Sequence, residues 1–141
     1  MSKCKDKLFQ GETLRDFREL VARYESRFSN KPAFIYKKEP KATNYVSILY
    51  SQFVQDIKSL ATSLLDIGLE NKKVALIAPN RYEWCVSYLA VTTANISIIP
   101  LDKSLPDNEI KSLIIRSKAD CVIFDSKYLP IFEEIYTEHS S

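Results

Sequence analysis

The feature that most constrains this chain is a pattern repeated through its second half, in which a short apolar run passes directly into a helical segment. "KVALIA" leads into the segment from Asn80, "ISIIPL" into the one from Pro106, and "DCVIFD" into the one around Ile131 to Tyr136. Apolar runs of this length, rich in Val and Ile and bounded by turn residues, read as buried strands. Strands that alternate with helices imply a parallel sheet joined by right-handed crossovers. The expected fold class is therefore α/β, a three-layer arrangement of a mostly parallel sheet with flanking helices, preceded by an N-terminal helix and a β-hairpin.

Local signals place the elements. Thr13 is expected to open the first helix with Asp16 as its capping partner, setting Leu14, Phe17, Leu20, Val21 and Tyr24 on one face and ending near Phe28. Two β-rich runs, Ala33 to Tyr36 and Tyr45 to Leu49, flank the polar "KKEPKAT" and read as a hairpin with a lysine-rich loop. Ser51 begins a long amphipathic helix carrying Phe53, Val54, Ile57, Leu60, Ala61, Leu64 and Leu65 at helical spacing, and Gly68 terminates it. Asn80 and Glu83 form a capping-box pair, and Pro106 is expected at the first helical position. Asp107 and Glu109 follow in the first turn, with Arg116 and Lys118 at the far end, each complementing the helix dipole.

With 141 residues, 45% hydrophobic and 27% charged, the chain suits one globular domain, and no repeat or linker divides residues 1–141. Its 20 basic and 18 acidic residues leave a net charge of +2, so it lacks the basic stripe of a nucleic-acid binder, and no nucleic-acid partner is expected. Cys4, Cys85 and Cys121 lack the spacing of a disulfide framework or zinc site and read as free thiols. Met1 to Gln10 has no apolar core of a secretory signal, which points to the cytoplasm. Trp84 to Leu101 is uncharged and about as long as a membrane span, but Ser87, Thr92, Thr93, Asn95, Ser97 and Pro100 interrupt it. It reads as a helix followed by a strand, and no transmembrane segment is expected.

The residues exclude several chemistries. With only Gly11 and Gly68 in the chain, G-x-G-x-x-G, the Walker loop and G-x-S-x-G are all ruled out. The turn after "KVALIA" carries Pro79 and Asn80 where a phosphate cradle needs glycines. The single His139 lies in the polar tail, away from any triad or metal-ligand pattern. Asp102 with Lys103 and Asp125 with Lys127 sit at strand ends and read as turn caps in preference to phosphorylation sites. Tyr82, Trp84 and Tyr88 read as core residues and Arg81 as a solvated residue at a helix start. No catalytic, cofactor-binding or metal-binding residue is assigned.

The helix from Trp84 to Val91, "WCVSYLAV", is apolar nearly all round. Such a helix needs cover on both sides, and either a missing part of a larger protein or a second copy of the chain is expected to supply it.

The succession "NYVSILYSQF…LATSLLDIGL…KKVALIAPNRYEWCVSYLAVTTANISIIPLDKSLPDNEIKSLIIRSKADCVIF" resembles the N-terminal portion of AMP-forming acyl- and aryl-CoA synthetases of the adenylate-forming superfamily. Within it the likeness is greatest to bacterial long-chain fatty-acid–CoA ligases. The order "PN-x-x-EW", "YLAV", "IIPLD" and "LP-x-NEI" carries the resemblance, which runs from the Thr13 helix to about Ile135. It implies a parent enzyme in which a carboxylic acid attacks ATP to give an acyl-adenylate and pyrophosphate, and the thiol of CoA then displaces AMP. ATP, Mg²⁺ and CoA are thus the implied cofactors of the parent enzyme, with none expected on this segment.

The family's phosphate loop, adenine-binding segment, hinge and C-terminal lysine match no position here. The resemblance therefore implies an N-terminal subdomain, inactive alone, whose reading frame continues past Ser141. It also implies a cytoplasmic parent enzyme with at most peripheral contact with a membrane. The family's usual Ala-Gly before "IIPLD" is Ala94–Asn95 here, and Asn tolerates the positive φ such a turn needs. Two alternatives stay open: a stand-alone interaction or dimerisation module, and a small phospho-receiver-like switch using Asp102 or Asp125.

Overall fold

The computed structural model describes residues 12–39 and 41–139. The readings made for Cys4, Gly11 and Met1 to Gln10 lie outside these residues, as does that for the side chain of His139.

Helix α1, Phe17–Phe28, starts later than expected, because Asp16 is itself the cap. Its carboxylate accepts the Glu19 backbone N–H at 2.9 Å, and Glu19 Oε2 accepts the Arg15 N–H at 3.0 Å. This reciprocal pairing satisfies two donors that a helix start leaves free. Thr13 does not cap; its carbonyl accepts the Arg23 guanidinium at 2.9 Å. Strands β1, Pro32–Tyr36, and β2, Val46–Leu49, form the expected antiparallel hairpin, with Ile35 opposite Ser47 and Tyr36 opposite Val46.

Helix α2, Tyr50–Asp66, buries Phe53, Val54, Ile57 and Leu64. Gly68 ends it at φ 80°, donating to the Leu65 carbonyl at 2.9 Å while Leu69 N–H reaches the Leu64 carbonyl at 3.1 Å. This paired closure needs a residue free to turn left-handed.

Strand β3, Lys73–Ile77, leads to α3, Tyr82–Thr93; β4, Ser97–Pro100, to α4, Asp107–Ser117; and β5, Cys121–Phe124, through a 3₁₀ turn at Ser126–Tyr128 to α5, Leu129–His139. The strands are parallel in the order β4-β3-β5. As the central strand, β3 is covered on both faces, and Val74, Ala75, Leu76 and Ile77 are each 0% exposed. Val74, Ile98 and Ile123 pack toward α2 and α3, whereas Ala75, Ile99 and Val122 pack toward α4 and α5. Helices therefore cover both faces of the sheet.

The apolar helix finds its cover inside the chain. Val91 and Ala94 of the α3 segment lie with the sheet residues, while Val86, Leu89 and Ala90 pack against Val21 of α1 and Phe53, Val54 and Ile57 of α2. Helix α1 folds back over α2 and α3 and supplies cover for this helix from within the chain. Among the described residues no helix is long and apolar enough to cross a membrane; Trp84 to Leu101 divides between α3 and β4.

Three helix starts differ by one residue from the sequence reading, the first being α2, which opens at Tyr50 and not Ser51. Arg81, not Asn80, occupies the cap of α3 and makes no side-chain capping bond, because a guanidinium has no acceptor to offer; its Nε–H donates instead to Glu83 Oε2 at 2.8 Å. Pro106 is the cap of α4, where its carbonyl accepts the N–H groups of Glu109 and Ile110, each at 3.0 Å. Asp107 and Glu109 fall in the first turn as expected, and Lys118 caps the other end in the left-handed region, φ 51°.

Candidate functional site

In an open parallel sheet a crevice forms at the carboxyl ends of adjacent strands whose chains leave toward opposite faces. Strands β3 and β5 meet this condition, since α3 covers one face and α5 the other. The crevice encloses about 70 Å³ beside Ala78, Arg81, Ser87 and Asp125. Arg81 Nη1 crosses it to Asp125 Oδ2 at 3.2 Å, while Asp125 Oδ1 accepts the Lys127 N–H at 3.2 Å. The Asp125 side chain is only 16% exposed. Arg81 is thus more than a solvated helix-start residue, as it ties the turn after β3 to the turn after β5.

Asp102 caps its own turn, accepting the Ser104 N–H at 2.9 Å and hydroxyl at 2.7 Å. These hydrogen bonds, backbone first, hold its carboxyl below the usual range. Both strand-end aspartates therefore serve as turn caps.

A larger cleft of about 650 Å³ lies alongside, between Phe34, Ile35 and Tyr36 of β1 and residues 80–85. The Tyr82 hydroxyl donates to Asp56 Oδ2 at 2.6 Å, fixing the first turn of α3 to α2. Burial, then this hydrogen bond and the Asp56 charge, push the Tyr82 phenol above its ordinary pKa. The Tyr82 ring meets Phe34 edge-on at 5.1 Å, and Trp84 stacks on Tyr88 at 5.2 Å. Tyr82 and Tyr88 pack against the core as expected, as does Cys85, whereas half-buried Trp84 does not join that cluster; Tyr82, Trp84 and Cys85 all line the cleft. Burial raises the Cys85 thiol. The cleft depends on a hairpin strand lying beside a helix that follows it much later in sequence, a contact that no local pattern encodes. Among the described residues, no group of three or more His, Cys, Asp or Glu side chains is placed to hold a metal ion.

The layered parallel sheet, its short strands and the helical cover folded back over α3 define a parallel α/β unit of one particular kind. Residues 21–139 match the family described as AMP-binding enzyme, and the chain belongs to that family. It is 27% identical over 124 residues to a CoA ligase of Gibberella moniliformis, a match covering 87% of this chain and 20% of that protein. The chain thus spans about a fifth of that relative's length.

Among solved structures, an anthranilate–CoA ligase in complex with anthranoyl-AMP superposes with a TM-score of 0.75 at 16% identity, over 86% of this chain and 22% of its own. A protein from Rhodopseudomonas palustris described as a long-chain fatty-acid–CoA ligase gives 0.75 at 19% identity, over 89% of this chain and 31% of its own. The N-terminal domain of FACL13 from Mycobacterium tuberculosis gives 0.71 at 18% identity, over 86% of this chain and 30% of that domain.

Proposed function

We propose that this chain is the N-terminal structural part of an ATP-dependent fatty-acid–CoA ligase, cytoplasmic, whose remainder completes the active site. The parent enzyme would form an acyl-adenylate and then a CoA thioester. On this reading residues 1–141 form one folded unit that holds its neighbours in place and is inactive alone. The family match supports the parent activity, and the closed strand-end crevice supports the scaffold role.

The residues here do not fit Mg-ATP. Wrapping phosphates takes several converging backbone N–H groups, and Pro79 has none to give. The crevice of about 70 Å³ is far below the few hundred Å³ of an ordinary ligand pocket, and the Arg81–Asp125 pair spans it. The neighbouring cleft has room, yet Arg81 is engaged by Glu83 and Asp125 and the Tyr82 hydroxyl by Asp56. What remains is mainly aromatic and aliphatic, a poor match for a polyphosphate. Nucleotide and metal chemistry is therefore assigned to the rest of the parent enzyme, and no step is routed through these residues.

The test is calorimetric titration with Mg-ATP, run on this chain and on the full natural polypeptide that carries it. Saturable binding and fatty-acid-dependent pyrophosphate exchange are expected only of the longer protein. Micromolar binding by the chain alone, lost on Arg81→Ala, would overturn the scaffold reading. Absence of exchange in the longer protein with fatty acids of any chain length would overturn the assigned activity.

A further inference from the structure

The cleft between β1 and the start of α3 takes no part in the function proposed above, yet at about 650 Å³ it has the size of a ligand site. Four of its lining residues are aromatic: Phe34, Tyr36, Tyr82 and Trp84. Three of these rings are held from behind. Phe34 meets Phe53 edge-on at 5.0 Å, Trp84 lies nearly parallel to Tyr88 with 17° between the ring planes, and the Tyr82 hydroxyl is anchored on Asp56. The walls are therefore set before anything enters, and binding need not order them.

The charges around the cleft are unbalanced. Among the described residues that line it, Arg81 is the one cation, and its guanidinium is shared between Glu83 at 2.8 Å and Asp125 at 3.2 Å. Asp56, half-buried behind Tyr82, accepts from two neutral donors, the Tyr82 hydroxyl at 2.6 Å and the Gln52 amide at 2.7 Å. Three carboxylates thus stand around a single guanidinium. The Tyr82 phenol registers this excess: burial raises its pKa first, then the hydrogen bond and charge of Asp56 and the charge of Glu83. A ring whose hydroxyl donates to a carboxylate is also polarised toward a more negative face.

We propose that this cleft binds an organic cation, an ammonium group carrying apolar substituents. The faces of Trp and Tyr rings attract such an ion, and its alkyl groups suit the Ile35 side of the cleft. A quaternary nitrogen has no N–H to satisfy, so it leaves no unpaired donor among the rings. The carboxylate excess selects against an anion, and a neutral ligand of the same shape forgoes the attraction of the ring faces. The inference stands on the cleft's own chemistry and is independent of the ligase reading.

The experiment is calorimetric titration of the full natural polypeptide with choline and, in parallel, with dimethylbutanol, its uncharged analogue in which carbon replaces nitrogen. Saturable choline binding is expected, about tenfold or more tighter than that of the analogue. Tyr36 is 42% exposed, so Tyr36→Leu should leave the fold intact while removing one ring face. It should weaken choline about threefold to tenfold and leave the analogue unchanged. Glu83→Gln should weaken choline in the same way. Tyr45→Leu, on the hairpin but outside the cleft, should change neither ligand. Equal affinity for the two compounds, equal loss from Tyr36→Leu and Tyr45→Leu, or no saturable choline binding up to about 10 mM would overturn the proposal. So would choline binding that both Tyr36→Leu and Glu83→Gln leave intact, since it would then lie elsewhere in the polypeptide.

Discussion

Asn71 and Asn95 stand 24 positions apart, yet the side-chain amide of Asn95 donates to Asn71 Oδ1 at 3.0 Å. Both backbones turn left-handed, at φ 59° and 60°. Each Asn lies two residues ahead of a strand, and the first strand residues, Lys73 and Ser97, are register partners in the parallel pair. The Ser97 N–H donates to the Lys72 carbonyl at 2.9 Å, so the amide clasp sits where the β3–β4 ladder begins. Replacing Asn95 by Val should cost about 1–3 kcal/mol, because a β-branched residue suits this φ poorly. Asn95→Gly should stay much closer to the parent, as it removes one exposed hydrogen bond and keeps the turn. Urea midpoints at unchanged slope will separate the two.

At Lys118 the sign reverses. It holds φ 51° at the end of α4 with a side chain that gains nothing from the turn visible in the structure. Lys118→Gly is expected to stabilise the fold by about 1 kcal/mol. A lower urea midpoint would refute this.

The Tyr82 hydroxyl bond to Asp56 joins α2 to α3. Tyr82→Phe should cost about 0.5–1.5 kcal/mol, with the loss smaller in an Asp56→Asn background, where the charged acceptor is already gone. Since the folded state raises the Tyr82 pKa, the stability linked to its proton is complete below the unfolded phenol value of 10.0 and declines as pH rises beyond it. Alkaline unfolding of the parent and the Phe variant should therefore converge at high pH.

Glu19 supplies the acid counterpart. The Arg15 backbone N–H, then the Arg23 and Arg15 guanidinium groups, bring its carboxyl to about 2 from an ordinary 4.5. A depressed folded pKa gives stability that is complete above the ordinary value and is lost as pH falls toward about 2. NMR titration of the Glu19 carboxyl should find its midpoint near the lower figure, and Glu19→Gln should flatten the stability profile between the two.

Where a signal was carried by the residue at the position itself, the sequence was legible. Gly68 ends α2 as read, Asn95 adopts the positive φ, and the apolar runs become parallel strands in one sheet. Helix starts slipped where a neighbour competed for the capping group. Asp16 took the role given to Thr13, and the Arg81 guanidinium drew Glu83 away from a box with Asn80. The cover of α3 and the cleft beside Tyr82 were not legible, because both depend on α1, β1 and α2 folding back over a helix that follows them in sequence. The Arg81–Asp125 bridge spans 44 positions and was hidden for the same reason.

The three-stranded sheet has a further consequence for handling this chain. Among the described residues strands β4 and β5 are both outer strands, so each turns one row of backbone N–H and C=O groups away from the sheet. Bare rows of this kind are templates on which identical strands stack, and natural proteins blunt them with charge, proline or an added strand. Pro100 blunts only the far end of β4, and "CVIF" carries neither safeguard. When the chain is concentrated by itself, β5 is the place where intermolecular strand addition should start. A lysine in place of Val122 or Ile123 would bury its charge against a helix, so the remedy is a partner strand and not a point change.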